Sequence, residues 1–237
     1  MCVNKDYNNK HFSILGDSIS TFEGISEPKG GVYYTTERKI ASGVVTVLDT
    51  WWGQVVEQLG GKLLVNNSWS GSTVCWNPQY QVPSYGCSDE RTSSLGKNGI
   101  TPDVIIVFMG INDWGNGFQV VGNGNVKADE KDCALFSNAY RIMLEKLRVN
   151  YPKAEIWCMT LPISSCSARE GFAFPYYYAG RHIVEYSDAI REVAQQDNCR
   201  VIDLYNHSEP YDTWDGFHPN ASGMRAIAKA VITAVKE

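Results

Sequence analysis

The segment DVIIVFM at residues 103–109 is the feature that most restricts how this 237-residue chain can fold. It is a short, continuous apolar run rich in β-branched residues, which is typical of a strand covered on both faces. Such strands belong to parallel sheets, because the crossover helices of a parallel sheet cover both of its sides. The segment therefore predicts an α/β fold.

Strands and amphipathic helices alternate along the rest of the sequence. Trp52, Val55 and Val56 follow the i, i+3, i+4 spacing of a helix with one buried face, and Pro152 ends a helix over 132–150. The order predicts one domain, a three-layer α/β/α sandwich around a five-stranded, mainly parallel, flavodoxin-like sheet. Strands are predicted at 12–15, 62–66, 103–109, 154–160 and 200–204, and helices at 50–59, 132–150, 181–196 and 222–235.

Charge and composition exclude some classes of partner. Lys and Arg total 21 against 26 Asp and Glu, for a net charge of -5, and no basic cluster is present. Nucleic acid and anionic membranes are therefore not expected as partners. The N-terminus is polar, and the seven cysteines form no CxxC pair. These features favour a reduced compartment, so we expect a cytoplasmic protein.

Three long segments without regular periodicity interrupt the alternation, at 24–49, 76–101 and 163–180. Each follows the carboxyl end of a predicted strand or the loop just beyond it. Open α/β sheets bind their ligands at that edge, and loops of this length are usually functional. The candidate site is therefore expected at the carboxyl edge of the sheet.

Four polar motifs stand where the strand pattern ends. In the GDS motif after the first strand, the N–H and hydroxyl of Ser18 could both face the crevice, although a serine in a turn explains the motif equally well. In DGFHPN before the last helix, Asp215 can accept from one ring nitrogen of His218 and leave the other free to act as a base. Asn112 in MGINDWG could donate to an oxyanion, and Gly71 in NNSWSGSTV could offer a backbone N–H.

Taken in chain order, GDS, a glycine-bearing loop, GxND and DxxHP resemble the blocks of the SGNH hydrolases, also called the GDSL esterase and lipase family. The resemblance implies an SGNH hydrolase fold, with Ser18 as nucleophile, His218 as general base and Asp215 as the partner that orients it. It also implies an oxyanion hole made of the Ser18 N–H, the Gly71 N–H and the Asn112 side chain. This chemistry is that of a serine esterase.

The chemistry implied by the resemblance needs neither a metal nor a cofactor. The four histidines show no HxxxH or HxH spacing, and paired cysteine ligands are absent. Ile19 stands where the family's name-giving motif has Leu, which keeps an apolar side chain and leaves the chemistry unchanged. We therefore expect neither a metal nor a cofactor.

The long loops are rich in aromatic side chains, whose faces suit a sugar ring better than a long acyl chain. This favours a small-molecule or carbohydrate ester substrate, such as an acetyl ester on a sugar, although the rings could equally well only pack the loops onto the sheet. The residues predicted to bind substrate are Asp17, Trp76, Trp114 and Tyr177.

Two alternatives stay open. A lysophospholipase or acyl-thioesterase would use the same serine with a longer apolar channel. A non-catalytic, flavodoxin-like module could instead bind a carbohydrate or nucleotide. Against that module, neither GxGxxG nor GxxxxGK[ST] follows the first strand, and simple binding does not need a serine, an asparagine and an Asp/His pair together.

Overall fold

A computed structural model of the chain describes residues 6–26, 31–120 and 132–236. Its central sheet has five parallel strands in the order β2-β1-β3-β4-β8. This is the strand order of a flavodoxin-like sheet, and it confirms the predicted fold class. The strands are β1 His11–Gly16, β2 Lys62–Ser68, β3 Val104–Phe108, β4 Glu155–Met159, β5 Ser164–Ser165, β6 Tyr177–Tyr178, β7 Arg181–His182, β8 Arg200–Ile202 and β9 Tyr211–Asp212.

Helices cover both faces of this sheet. The helix α2 packs against α8, and α5 packs against α6, so each pair forms one outer layer. Short 3₁₀ turns at Ser18–Ser20, Val47–Asp49 and Asp132–Ala134 join some of the elements. The α-helices are α1 Thr36–Ser42, α2 Trp51–Gln58, α3 Asp89–Ser93, α4 Ile111–Gly115, α5 Phe136–Asn150, α6 Ile183–Gln196, α7 Leu204–His207 and α8 Ala221–Lys236.

The core lies between the sheet and its helices. All five residues of β3 are buried, which agrees with the continuous apolar run from which a doubly covered strand was predicted. Trp51 of α2 packs edge-on against Phe108 of β3, and Trp157 of β4 packs edge-on against Phe12 of β1. Full burial of one such large side chain contributes about 1.5–3 kcal/mol, so these contacts stabilise the sheet strongly.

Several predicted boundaries are wrong, each for a local reason. The strand predicted at 200–204 ends at Ile202, because the Asp203 side chain accepts the N–H of Asn206 and begins α7. The helix predicted at 181–196 begins at Ile183, since Arg181–His182 pairs with Tyr177–Tyr178 as a small hairpin. The helix predicted at 132–150 begins at Phe136, after a 3₁₀ turn.

The three segments predicted to lack regular structure contain short elements. The first holds α1, the second holds α3, and the third holds the strands β5 and β6. Residues 27–30 of the first segment lie outside the described residues. Short helices of this kind have too few turns to show a hydrophobic period, which is why the sequence pattern does not reveal them.

The sheet register brings three strand ends together at one edge. Gly16 of β1 pairs with Ser68 of β2 on one side and with Phe108 of β3 on the other. The segments that leave these strands therefore begin side by side. In a flavodoxin-like sheet the point between the first and third strands is where the connections change direction and where ligands bind.

The contact between α8 and β9 can be tested with Gly223→Ala. A Cβ at Gly223 would overlap the carbonyl oxygen of Asp212, which lies just before the turn that carries Asp215 and His218. We expect the free energy of unfolding in urea to fall by about 1–3 kcal/mol, because the backbone of Asp212 cannot move aside as a side chain could. Ser222→Ala, at an exposed neighbouring position, should change it by less than about 0.5 kcal/mol. Equal stability of the two variants would contradict this packing.

Candidate active site

The polar motifs predicted from the sequence lie at the carboxyl edge of the sheet. Ser18 begins the 3₁₀ turn directly after β1, and Asn112 lies in the first turn of α4 after β3. Asp215 and His218 occupy the turn between β9 and α8. The fold therefore brings residues from three distant parts of the sequence to one place.

Ser18, His218 and Asp215 form a continuous hydrogen-bonded chain. The Ser18 Oγ lies 3.0 Å from His218 Nε2, and His218 Nδ1 lies 2.8 Å from Asp215 Oδ2. The other carboxylate oxygen, Oδ1, accepts the backbone N–H groups of Phe217 and His218 at 3.0 and 2.8 Å. In this arrangement the imidazole can take the hydroxyl proton while the carboxylate holds its orientation.

Tyr33, which the sequence analysis did not identify, contacts the same group of residues. Its hydroxyl donates to Asp215 Oδ2. Its ring lies parallel to the His218 imidazole, with centroids 3.4 Å apart and planes inclined by 13°. No pattern in the sequence around Tyr33 signals this role, since the contact joins residues that are far apart in the chain.

The environment of Asp215 keeps its carboxylate ionised. Partial burial acts to raise the pKa of Asp215, but the hydrogen bond and charge of His218, with the Tyr33 hydroxyl, outweigh it and hold the pKa well below its usual range. The pKa of Tyr33 is raised above its ordinary value by burial and by the hydrogen bond to Asp215. At neutral pH, Asp215 therefore acts as an acceptor and Tyr33 as a neutral donor.

Three N–H groups belong to the residues that the sequence assigns to an oxyanion hole, Ser18, Gly71 and Asn112. Asn112 donates one amide hydrogen to the carbonyl of Ser72 at 2.9 Å, and its second amide hydrogen is available where its side chain lines the cavity. Among residues 6–26, 31–120 and 132–236, no partner accepts the backbone N–H of Ser18 or of Gly71. Gly71 has a φ of 76°, which favours glycine, but it does not line the cavity.

A buried guanidinium supports this edge of the sheet. Arg91 donates through Nη1 to the hydroxyls of Ser72 and Ser84, both at 2.7 Å. Through Nη2 it donates to the carbonyls of Gly16 and Asn67, at 2.9 and 2.8 Å. Burial lowers the pKa of Arg91 to about 9, so the group is still charged at neutral pH. Its hydrogen bonds connect the end of β1 with the end of β2 and with the loop that follows β2.

Two buried carboxyl groups hold backbone N–H groups near the site. Asp113 accepts from Val74 and Cys75 at 2.8 and 2.9 Å, and Asp17 accepts from Ile19 at 3.0 Å. Burial raises the pKa of Asp17 to about 7 and that of Asp113 to about 6. Asp17 was predicted to bind substrate, but it does not line the cavity and instead caps the turn that carries the nucleophile.

A cavity of about 260 Å³ opens beside the Ser18 hydroxyl. Its polar lining includes His218 and Asn112. Its apolar wall consists of Ile19, Ile111, Trp114, Tyr178 and Phe217. The site therefore places a hydroxyl, an imidazole and an amide N–H beside a small space with an apolar wall.

The predicted substrate-binding aromatic residues are only partly found at this cavity. Trp114 lines it, whereas Trp76 lies away from it and contacts the Tyr85 ring. Tyr177 is also outside the cavity and is 70% exposed, while its neighbour Tyr178 forms part of the wall. Adjacent residues of a strand point to opposite sides, so Tyr178 and not Tyr177 faces the cavity.

The described part of the chain shows neither a metal-binding cluster nor a membrane-spanning helix. There, no group of three or more His, Cys, Asp or Glu side chains is arranged to hold a metal ion. The helices described in the structure are also all too short or too polar to cross a membrane.

Comparison with known proteins agrees with the fold. Two solved structures assigned as GDSL-like lipases both have a TM-score of 0.73. The one from Bacteroides ovatus is 26% identical, over 95% of this chain and 97% of that one, and the one from Bacteroides uniformis is 29% identical, over 96% and 95%. A carbohydrate esterase family 2 enzyme with a carbohydrate binding domain, from Myceliophthora fergusii, shares the fold at 15% identity and a TM-score of 0.58, over 95% of this chain and 65% of that one. No curated protein sequence matches significantly.

The class of protein is a hydrolase built on a flavodoxin-like α/β/α fold, as the sheet and a family match show. The model of the GDSL-like lipase and acylhydrolase family matches residues 10–163, and the chain belongs to that family. The matched region contains Ser18 and Asn112 but ends before Asp215 and His218. The part that these two residues play therefore depends on their geometry in this structure.

The buried carboxyl of Asp17 leads to a prediction about stability and pH. Its pKa in the folded protein, about 7, lies above the ordinary value of 3.8, so the folded state binds the proton more tightly than the unfolded state. This contribution to stability is fully present below about pH 4 and is lost as the pH rises through 7. Asp17→Asn cannot titrate, so the stability of the wild type relative to the variant should fall by on the order of 2–4 kcal/mol between pH 4 and 8.

Urea unfolding of both proteins at several pH values measures this difference. Any constant cost of the Asn side chain cancels, because only the change with pH is compared. A difference that stays flat from pH 4 to 8 would show that Asp17 does not titrate with a raised pKa.

Proposed function

We propose that this protein is a serine ester hydrolase that acts on small acyl esters through Ser18, His218 and Asp215. The observation that carries the proposal is the approach of Ser18 Oγ to His218 Nε2 at 3.0 Å, with His218 Nδ1 held by Asp215 at 2.8 Å, beside a cavity. A turn serine without catalytic function would not need a base on its hydroxyl and a carboxylate on that base.

The geometry supports a two-step acyl transfer. His218 Nε2 takes the Ser18 proton as Oγ attacks the ester carbonyl, and the carbonyl oxygen becomes an oxyanion. The donors proposed for this oxyanion are the N–H groups of Ser18 and Gly71 and the second amide hydrogen of Asn112. The imidazolium then gives its proton to the departing alcohol. Water, deprotonated by the same imidazole, attacks the acyl carbonyl, and the imidazolium returns the proton to Ser18 Oγ as the bond to the acyl group breaks and the acid leaves.

The size of the cavity favours a small acyl group. Its volume of about 260 Å³ is below the roughly 300–1,000 Å³ of pockets that hold drug-sized ligands. Trp114 is 1% exposed and stacks on Phe174, so this part of the wall is rigid and cannot readily open for a long chain. We therefore propose short acyl chains, such as acetyl, as the acid part of the substrate.

The surroundings of the cavity support a carbohydrate as the alcohol part. Tyr178 lines the cavity and is 49% exposed, and Tyr176 is 42% exposed on the same segment. The carbonyl of Arg181 in the adjoining strand accepts the Trp114 indole N–H at 3.0 Å, which fixes this hairpin to the wall. Exposed aromatic faces beside polar groups are suited to sugar rings.

A direct test of the nucleophile is Ser18→Ala. Turnover of a short-chain ester such as p-nitrophenyl acetate should fall by at least about 1000-fold, because the members of such a triad act as a unit. The matched control is Ser20→Ala, in the same turn, whose hydroxyl faces the core and accepts the Trp51 indole N–H at 3.2 Å. The control should stay within about threefold of the wild type. Full esterase activity in Ser18→Ala would refute the proposal.

A series of p-nitrophenyl esters of increasing chain length tests the acyl group. We expect kcat/KM to be highest for chains of about two to four carbons and to fall at least tenfold by about eight carbons, because each methylene that does not fit costs about 1–3 kcal/mol. A maximum at about eight carbons or more would favour a lysophospholipase instead. Faster cleavage of acyl-CoA than of esters would favour a thioesterase. Sugar binding without turnover of any ester would favour a non-catalytic module.

A further inference from the structure

Tyr33 touches two members of the proposed triad and is connected to the third. Its hydroxyl donates to Asp215 and its ring stacks on His218. Its backbone N–H donates to the Thr21 hydroxyl oxygen at 2.9 Å, and the Thr21 hydroxyl donates to the carbonyl of Ser18 at 2.8 Å. These hydrogen bonds and those of the triad form a closed ring that passes through Ser18, His218, Asp215, Tyr33 and Thr21.

This ring of hydrogen bonds restrains the distance between His218 and Ser18, which the turn that carries Asp215 and His218 does not determine by itself. Asp215 and His218 share one short turn, so the bond between them moves as the turn moves and does not by itself determine the distance to Ser18. Tyr33 and Thr21 connect this turn to the segment that carries the nucleophile. The stacked Tyr33 ring, in van der Waals contact with the imidazole, also blocks movement of His218 out of its plane on that side.

Tyr33 is itself held firmly in place. It is 7% exposed, and the Tyr34 ring packs edge-on against it with centroids 5.2 Å apart. The Arg38 guanidinium carbon lies 4.4 Å from the centroid of the Tyr33 ring. His218 already covers one face of that ring, so Arg38 lies on the other. Because these contacts leave the Tyr33 side chain few other conformations, it can hold His218 and Asp215 in a defined position.

The contact also suits the charges that form during the proposed reaction. An imidazolium above the face of a tyrosine ring is attracted by the negative potential of that face. The hydroxyl, a neutral donor, adds to the hydrogen bonds that keep Asp215 ionised. The ionisable groups on this side of His218 are therefore Asp215 and Tyr33, which contact the imidazole, and Arg38, which lies against the Tyr33 ring.

We propose that Tyr33 is a positioning residue that sets the approach of His218 to Ser18 through its stack on the imidazole, its bond to Asp215 and its link to Thr21. The role rests on the esterase function proposed above. Tyr33 does not line the cavity, so the role predicts a loss in kcat with little change in KM.

The main test is Tyr33→Phe, which removes the hydroxyl and keeps a ring that can stack. With p-nitrophenyl acetate we expect kcat to fall about tenfold and KM to change less than twofold. The matched control is Tyr34→Phe, the adjacent buried tyrosine, which loses one hydrogen bond to the Pro219 carbonyl at 2.8 Å and touches no triad side chain through it. It should cost similar stability but change kcat less than twofold.

Thr21→Val provides a second variant should Tyr33→Phe fail to fold. It keeps the shape of the side chain and breaks the link between Tyr33 and the Ser18 carbonyl, so kcat should fall severalfold at unchanged KM. If Tyr34→Phe lowers kcat as much as Tyr33→Phe does, Tyr33 has only a structural role and the proposal is overturned. The proposal is also overturned if Tyr33→Phe, or Thr21→Val in its place, keeps the kcat of the wild type.

Proton NMR separates this proposal from the esterase function. The proton between His218 Nδ1 and Asp215 Oδ2 should give a downfield resonance that is absent in His218→Ala. This resonance should move in Tyr33→Phe and stay in place in Tyr34→Phe. If the wild type cleaves no ester, the esterase proposal fails, while the resonance still reports whether Tyr33 acts on the pair. An unmoved resonance in Tyr33→Phe would overturn the positioning role.

Discussion

The site depends on a positive charge buried beneath it. Placing a guanidinium inside a protein is costly unless its N–H groups are satisfied. Arg91 meets most of this requirement, because Nη1 and Nη2 donate to four oxygen acceptors, among them the main-chain carbonyls of Gly16 and Asn67 at the ends of two neighbouring strands, while Nε has no partner among the described residues. Because these carbonyls would otherwise need other donors, the guanidinium and the strand ends stabilise one another. Ser18, the proposed nucleophile, follows one of these carbonyls by two residues.

Two buried carboxyl groups, those of Asp17 and Asp113, support the same edge of the sheet. Asp17 and Asp113 lie close enough to influence each other's charge, and Arg91 lowers the pKa of Asp17 against the effect of burial. Asp17 accepts the backbone N–H of Ile19, which lines the cavity, and Asp113 accepts those of Val74 and Cys75. The hydrogen-bonded chain of Ser18, His218 and Asp215, proposed as the catalytic triad, therefore lies next to a second group of polar residues that takes no part in the proposed chemistry. A polar network of this kind is favourable when nearly all its members have partners, and it then makes the site rigid.

Much of the fold follows from local patterns. The apolar run at 103–109 and the helical periodicity around Val55 and Val56 are properties of neighbouring residues, and both predict elements that the structure contains. Errors occur where a tertiary or capping contact changes an element's end, as at Asp203 and at the hairpin of Arg181–His182. A local pattern cannot register such contacts, since the partner lies elsewhere or the side chain competes with the backbone.

By itself, the sequence determined the order of strands and helices, the parallel sheet, and four motifs with the chemistry of an ester hydrolase, because each depends on residues close together in the chain. Tertiary structure alone decided that Tyr33 joins Asp215 and His218, that Arg91 supports the strand ends, and that Tyr178 rather than Tyr177 faces the cavity. The physical reason is that these roles arise from hydrogen bonds, ring contacts and a hairpin's orientation between segments far apart in sequence. Such contacts leave no period or spacing in a single chain, and they exist only after the sheet has brought its strand ends together.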